Sequence, residues 1–149
     1  MQILINPIEE IETACKTANF FTGFALAVTY FDYEANHILG MFFQDRISRN
    51  TIERLSLALK IKIVFGLDLI EEKAYHKILE IIDTRNRLIH PTDEMDKEGR
   101  SHDIFLRFRL NEKEKSSLLG FKECYSSLVQ AYSGLFEKKL RGSDEVKPL

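Results

Sequence analysis

Leu118, Phe121, Tyr125, Leu128, Tyr132 and Leu135 recur in alternating steps of three and four. A strand would scatter these six residues over both its faces, whereas a helix gathers them into one seam packed along a neighbour. The rest of the chain repeats that pattern. Asn6-Pro7-Ile8-Glu9 is a helix start, with Asn6 as cap, Pro7 at the first helical position and Glu9 as the capping-box acid. Ile8, Ile11, Cys15 and Ala18 follow at helical spacing, then Phe20, Phe24, Val28 and Phe31 lead toward Gly40. The spacing leaves open whether this is one bent helix or two.

Asn50-Thr51-Ile52-Glu53 repeats the capping pattern and predicts a central helix running to a stop at Gly66. Asp68-Leu69-Ile70-Glu71 opens another, whose apolar residues Ile70, Ala74, Ile78, Ile82 and Ile89 carry it to Pro91. That proline biases His90 away from helical geometry. Residues 91–103 are polar and charged, and a loop of that length in a compact domain is usually functional or mobile. Leu106-Arg107-Phe108-Arg109-Leu110 alternates, which favours a short extended piece. The last helix is expected from near Asn111 to Gly142, with a short polar tail after it. With only 7 glycines and 3 prolines in 149 residues, the expectation is a single all-α domain over residues 1–149, an up-and-down bundle of about four or five helices.

Charge and cysteine usage narrow the function classes. A net charge of −2 gives no global basic field of the kind nonspecific nucleic-acid binders use, so any contact with nucleic acid has to be local. Cys15 and Cys124 are too few and too far apart for a zinc motif, and with no secretory signal the chain reads as reduced and cytoplasmic. The uncharged stretch 17–31 contains Asn19, Thr22 and Thr29 and falls short of the ~20 apolar residues that span a bilayer. His37 and His76 lack a partner at helical ligand spacing, so no metal is expected. There is no glycine-rich phosphate loop or nucleophile elbow, and no cofactor is expected.

One run carries chemistry. In Arg85-Asn86-Arg87-Leu88-Ile89-His90, a permanently charged planar guanidinium and an imidazole able to move protons near neutral pH lie five residues apart. A guanidinium can neutralise an anion, and an imidazole can serve as general acid or base. On a straight helix the two residues would stand about 140° apart. Either a distortion ahead of Pro91 or a second copy across a twofold axis is then needed to bring them together. The same residues also suit a purely structural role. Arg85 and Arg87 favour a helix carboxyl terminus, His90 can cap it, and Asp83 stands four before Arg87.

The pattern of Arg, a polar residue, three variable positions and His resembles the HEPN family, as do the chain length and the motif's place at the end of a helix. The resemblance implies a HEPN-like bundle and a metal-independent endoribonuclease that leaves 2′,3′-cyclic phosphate ends. It further implies Arg85, Asn86 and His90 as catalytic residues, a homodimer, and RNA as substrate. A toxin of a toxin-antitoxin or antiviral system would fit, with an antitoxin such as a small nucleotidyltransferase as partner. Arg54-Leu55, residues 66–70, Arg85-Asn86 and His90 are also similar to the mannitol operon repressor family, which implies a noncatalytic helical regulator or interaction module instead. Arg87, Arg107 and Arg109 are the candidate RNA-binding cations: Phe105 and Phe108 interleave with the last two, and stacking plus phosphate contact is how single strands are held, the alternative being phenylalanines packed inside with the arginines solvated.

Overall fold

The computed structural model describes residues 5–89 and 110–145. Among these residues there are seven helices and no strand: α1 (Pro7–Lys16), α2 (Phe20–Phe43), α3 (Arg49–Arg54), α4 (Leu57–Gly66), α5 (Glu72–Ile89), α6 (Glu112–Leu119) and α7 (Phe121–Glu145). The all-α expectation holds, with more and shorter helices than the periodicity suggested. The extended piece expected at 106–110 lies, apart from Leu110, outside the described residues, as does the polar loop at 91–103.

Local chemistry explains the extra breaks. Asn6 caps α1 through its Oδ1, which accepts from the amides of Ile8 and Glu9 at 3.1 and 3.3 Å. The chain then turns through Ala18, held at φ 56°, a left-handed conformation that costs a residue with a Cβ about 1–2 kcal/mol, so α1 and α2 are two helices. The helix expected from Asn50 to Gly66 is also two. Ser48 caps α3 at the Thr51 amide, the chain is extended at Leu55 and Ser56, and Ser56 caps α4 at the Leu59 amide. A serine that caps satisfies the orphan amide of a new helix and so makes a break cheap. Gly120 separates α6 from α7, whereas Gly142, expected to end the last helix, lies inside it.

α2 organises the bundle, since all six other helices touch it. Phe24, Ala27, Phe31, Ala35, Ile38 and Leu39 on α2 are fully buried. α7 runs parallel to α2, because Tyr30 meets Phe121, Glu34 meets Tyr125 and His37 meets Tyr132 in the same order. α5 runs antiparallel to α2, with Leu88 near its carboxyl end facing the groove beside Phe20 and Phe21. Gly23 allows the close approach of α6: a Cβ there would stand 2.7 Å from Leu118 Cδ2 and 3.2 Å from the Ala14 Cβ.

Three side chains inside this apolar packing, Lys60, Tyr30 and Tyr125, make polar contacts that were not evident from the sequence pattern. Lys60 on α4 is 1% exposed, and its Nζ donates to Asp32 Oδ1 at 2.8 Å and to the Glu53 carbonyl at 3.4 Å, joining α2, α3 and α4. Tyr30 donates to Glu10, and Tyr125 donates to Glu34 at 3.1 Å. Burial foremost, with those carboxylates, pushes both phenols up to about 12.

Asp32 keeps 42% of its side chain in solvent, so it can rehydrate if its partner goes. Lys60→Met, which retains the buried stem volume, should therefore change the unfolding free energy by less than about 1 kcal/mol, whereas Lys60→Ala should lose about 2–4 kcal/mol through the cavity. Urea denaturation measures both, and equal losses would show that the charge, not the packing, matters. The phenols give a second test. From about pH 10 to 12 the native state holds protons that the unfolded chain releases, so stability should fall across that window. Absorbance titration should show two of the five tyrosines ionising last, together with unfolding; normal ionisation of all five in folded protein would contradict it.

Candidate functional site

α5 buries Ile78, Ile81, Ile82, Thr84 and Leu88. Arg85 stands four after Ile81, three after Ile82 and three before Leu88, which at about 100° per residue puts it inside that buried arc. It is half-buried, its stem following the apolar stripe as long cationic side chains do. Its Nε is shut off from solvent and has no hydrogen-bond partner among the described residues. Among the described residues no carboxylate forms an ion pair with it. A buried donor left unsatisfied costs about 1–3 kcal/mol, so this cation is held in place at a cost to stability.

Asn86 is exposed, on the flank of α5 away from the buried arc. Arg87, on the other flank, pairs with Glu114, so an ion pair crosses from α5 to α6. Glu114 is also the capping-box acid of α6: its Oε1 accepts from the Asn111 amide at 3.1 Å, and its own amide donates to Asn111 Oδ1 at 2.8 Å. One carboxylate thus caps α6 and ties it to the end of α5. The Asn111-to-Glu114 spacing was visible in the sequence, but its partner 27 residues away carried no local signal.

Beside this junction lies a groove of about 920 Å³, bordered by Phe20, Phe21, Leu88, Asn111 and Lys115. The Lys115 Nζ sits 5.6 Å above the Phe20 ring and pairs with Glu112. Of the motif's described residues, Leu88 reaches this groove. The structure therefore gathers Arg85, Asn86 and Arg87 on the last turns of α5 but turns them in different directions. α5 stays helical through Ile89. His90, Arg107 and Arg109 lie outside the described residues, as do His102 and Asp103.

Other groups suit support rather than chemistry. Glu34 accepts from Tyr125 on α7. Cys124 is fully buried, which pushes its thiol up to about 11, and burial with the nearby Glu12 raises Cys15, the opposite of an activated nucleophile. Among the described residues no three His, Cys, Asp or Glu side chains converge on a metal-sized space, and no helix is long and apolar enough to cross a membrane. Comparison with family profiles, curated proteins and solved structures gives no match.

Arg85→Met should raise the unfolding free energy by about 1 kcal/mol, because methionine keeps the stem and the helix propensity while removing the unsatisfied donor. Urea denaturation decides it. A clear loss of stability would mean that the guanidinium is already satisfied in the folded protein.

Proposed function

We propose that this chain is a HEPN-type, metal-independent endoribonuclease that works as a homodimer. The observation that carries this reading is the uncommitted guanidinium of Arg85, retained on the buried face of α5 within an Arg-Asn-x-x-x-His run. An anion is what such a group lacks, and an RNA phosphate supplies one. In the reaction, the ribose 2′-oxygen attacks the adjacent phosphorus and the bond to the 5′-oxygen breaks. His90 takes or gives the proton as the 2′-hydroxyl loses one and the leaving oxygen gains one. Arg85 neutralises charge building on the phosphoryl oxygens, and Asn86 orients the reacting groups. Ile89, 43% exposed at the end of the motif helix, supplies apolar surface for pairing two copies, which would set two Arg and two His around one cleft. A role as the toxin of a toxin-antitoxin or antiviral system, checked by an antitoxin, follows from the same reading.

A second reading has its own support. The Arg87 pair with Glu114 commits one motif cation to joining α5 and α6, as expected of a noncatalytic regulator or interaction module whose motif is structural.

Purified protein incubated with mixed RNA in the presence of a chelator separates the two. The nuclease reading expects products with 2′,3′-cyclic phosphate ends from wild type, and at least a hundredfold less from His90→Ala and Arg85→Met proteins that remain folded. Absence of cleavage across varied RNAs, or equal cleavage by the variants, would favour the regulator.

A further inference from the structure

The carboxyl-terminal half of α2 and the middle of α7 enclose a second recess, about 260 Å³ in volume, lined by Asn36, His37, Gln44, Arg49, Tyr132 and Lys139 among others. It is remote from the motif. The end of α5 lies beside Phe21, and from Phe21 to Asn36 a helix rises about 22 Å.

Its walls combine three kinds of group. The first is aromatic. The His37 ring lies 4.3 Å from that of Tyr33 and meets Tyr132 edge-on at 5.9 Å, and Tyr132 continues to Phe136 at 6.3 Å. The ends of this row, Tyr33 and Phe136, are 60% and 43% exposed, whereas Tyr132 also packs against the core. The second is amide. Gln44 is exposed, and Asn36 Oδ1 is buried without a hydrogen-bond partner among the described residues, so the amide retains unused acceptor capacity. The last carbonyls of α2 face the same end and likewise favour donors. The third is cationic, from Arg49, which also pairs with Glu53 at 3.4 Å along α3, and Lys139, with Asp45 beside them. His37 is also fixed in orientation, because its Nδ1 donates to the Tyr33 carbonyl at 2.7 Å, which leaves Nε2 as the ring atom able to accept.

We propose that the α2–α7 recess is a nucleobase-binding site, which stacks a base against the His37–Tyr132 aromatic row, meets its edge with Asn36 and Gln44, and places its phosphate near Arg49 and Lys139. The recess is smaller than the ~300–1,000 Å³ of sites that hold drug-sized ligands, so it takes one base and leaves the sugar and phosphate outside. A planar face for stacking, amides for the edge and cations for the backbone are how unpaired nucleotides are recognised. A free nucleotide and one residue of a single strand share this chemistry.

The test uses full-length His90→Ala protein, so that RNA probes are not consumed and the outcome is independent of whether the chain cleaves RNA. The probes are adenosine and cytidine 5′-monophosphates, a single-stranded oligoadenylate and a duplex RNA, followed by the proton resonances of the His37 ring and by tyrosine fluorescence, which no tryptophan obscures. Saturable shifts of the His37 resonances with mononucleotide identify a free-nucleotide site, and shifts with oligoadenylate alone identify a strand site. Either supports the proposal, provided that Tyr132→Ala or His37→Ala weakens binding about tenfold and duplex leaves His37 unmoved. Because Tyr132 packs into the seam, each variant is checked for an unchanged melting temperature, and His37→Phe, which restores a ring, should recover most of the affinity. No shift with any single-stranded probe, or binding that both substitutions leave unchanged, overturns it.

Discussion

Burial of one face of α2 is the constraint on which the rest of the molecule depends. Phe24, Phe31, Ile38 and Leu39 lose all solvent contact, and each such side chain contributes about 1.5–3 kcal/mol relative to exposure. No single neighbour could cover a helix of 24 residues, so all six other helices pack on it. The small residues on the same face set how close they come. Ala27 and Ala35 are fully buried, and at Gly23 an added methyl group would meet Leu118. The polar ties are secondary but directional. Lys60 brings α3 and α4 to Asp32, and Tyr30 and Tyr125 reach Glu10 and Glu34 from within the aromatic layer.

At three boundaries apolar period and capping chemistry were a sufficient guide, whereas α5 begins at Glu72, beyond the Asp68–Glu71 pattern expected to open it. The start of α1 at Pro7, the end of α4 at Gly66 and the start of α6 beyond Asn111 follow local rules that need no tertiary partner. The misjudged breaks have physical causes that periodicity cannot see. A serine such as Ser56 is tolerated inside a helix and favoured at its cap, and only the packing of α3 and α4 against α2 decides between them. Gly142 shows the converse. Glycine ends helices often, yet it weakens one by only about 1 kcal/mol, which the rest of α7 outweighs.

The candidate site was half legible. The sequence named Arg85, Asn86 and Arg87 and put them at the end of a helix, but not what each faces. The inward direction of Arg85 emerges only when Ile78, Ile81, Ile82 and Leu88 are known to be the buried arc. The second role of Glu114, capping α6 while holding Arg87, needed the fold. Together these groups divide the motif's labour: Arg87 fastens two helices, while Arg85 has no counter-charge among the described residues. A protein that carries an unsatisfied buried donor gives up stability for it, and such local conflicts are characteristic of sites kept for a ligand. The aromatic row on α2 and α7 follows the same logic, since Tyr33 contributes more to the surface than to the core.

The claim at the centre is that Arg85 waits for an anion. Its Nε–H resonance can be followed by nitrogen-resolved nuclear magnetic resonance in the folded protein while an RNA methylated at its 2′-oxygens, and therefore uncleavable, is added. A specific, saturable displacement of that resonance, absent with an uncharged analogue of the same strand, is expected. An Arg85 resonance that stays fixed while the RNA binds elsewhere on the protein would contradict the account.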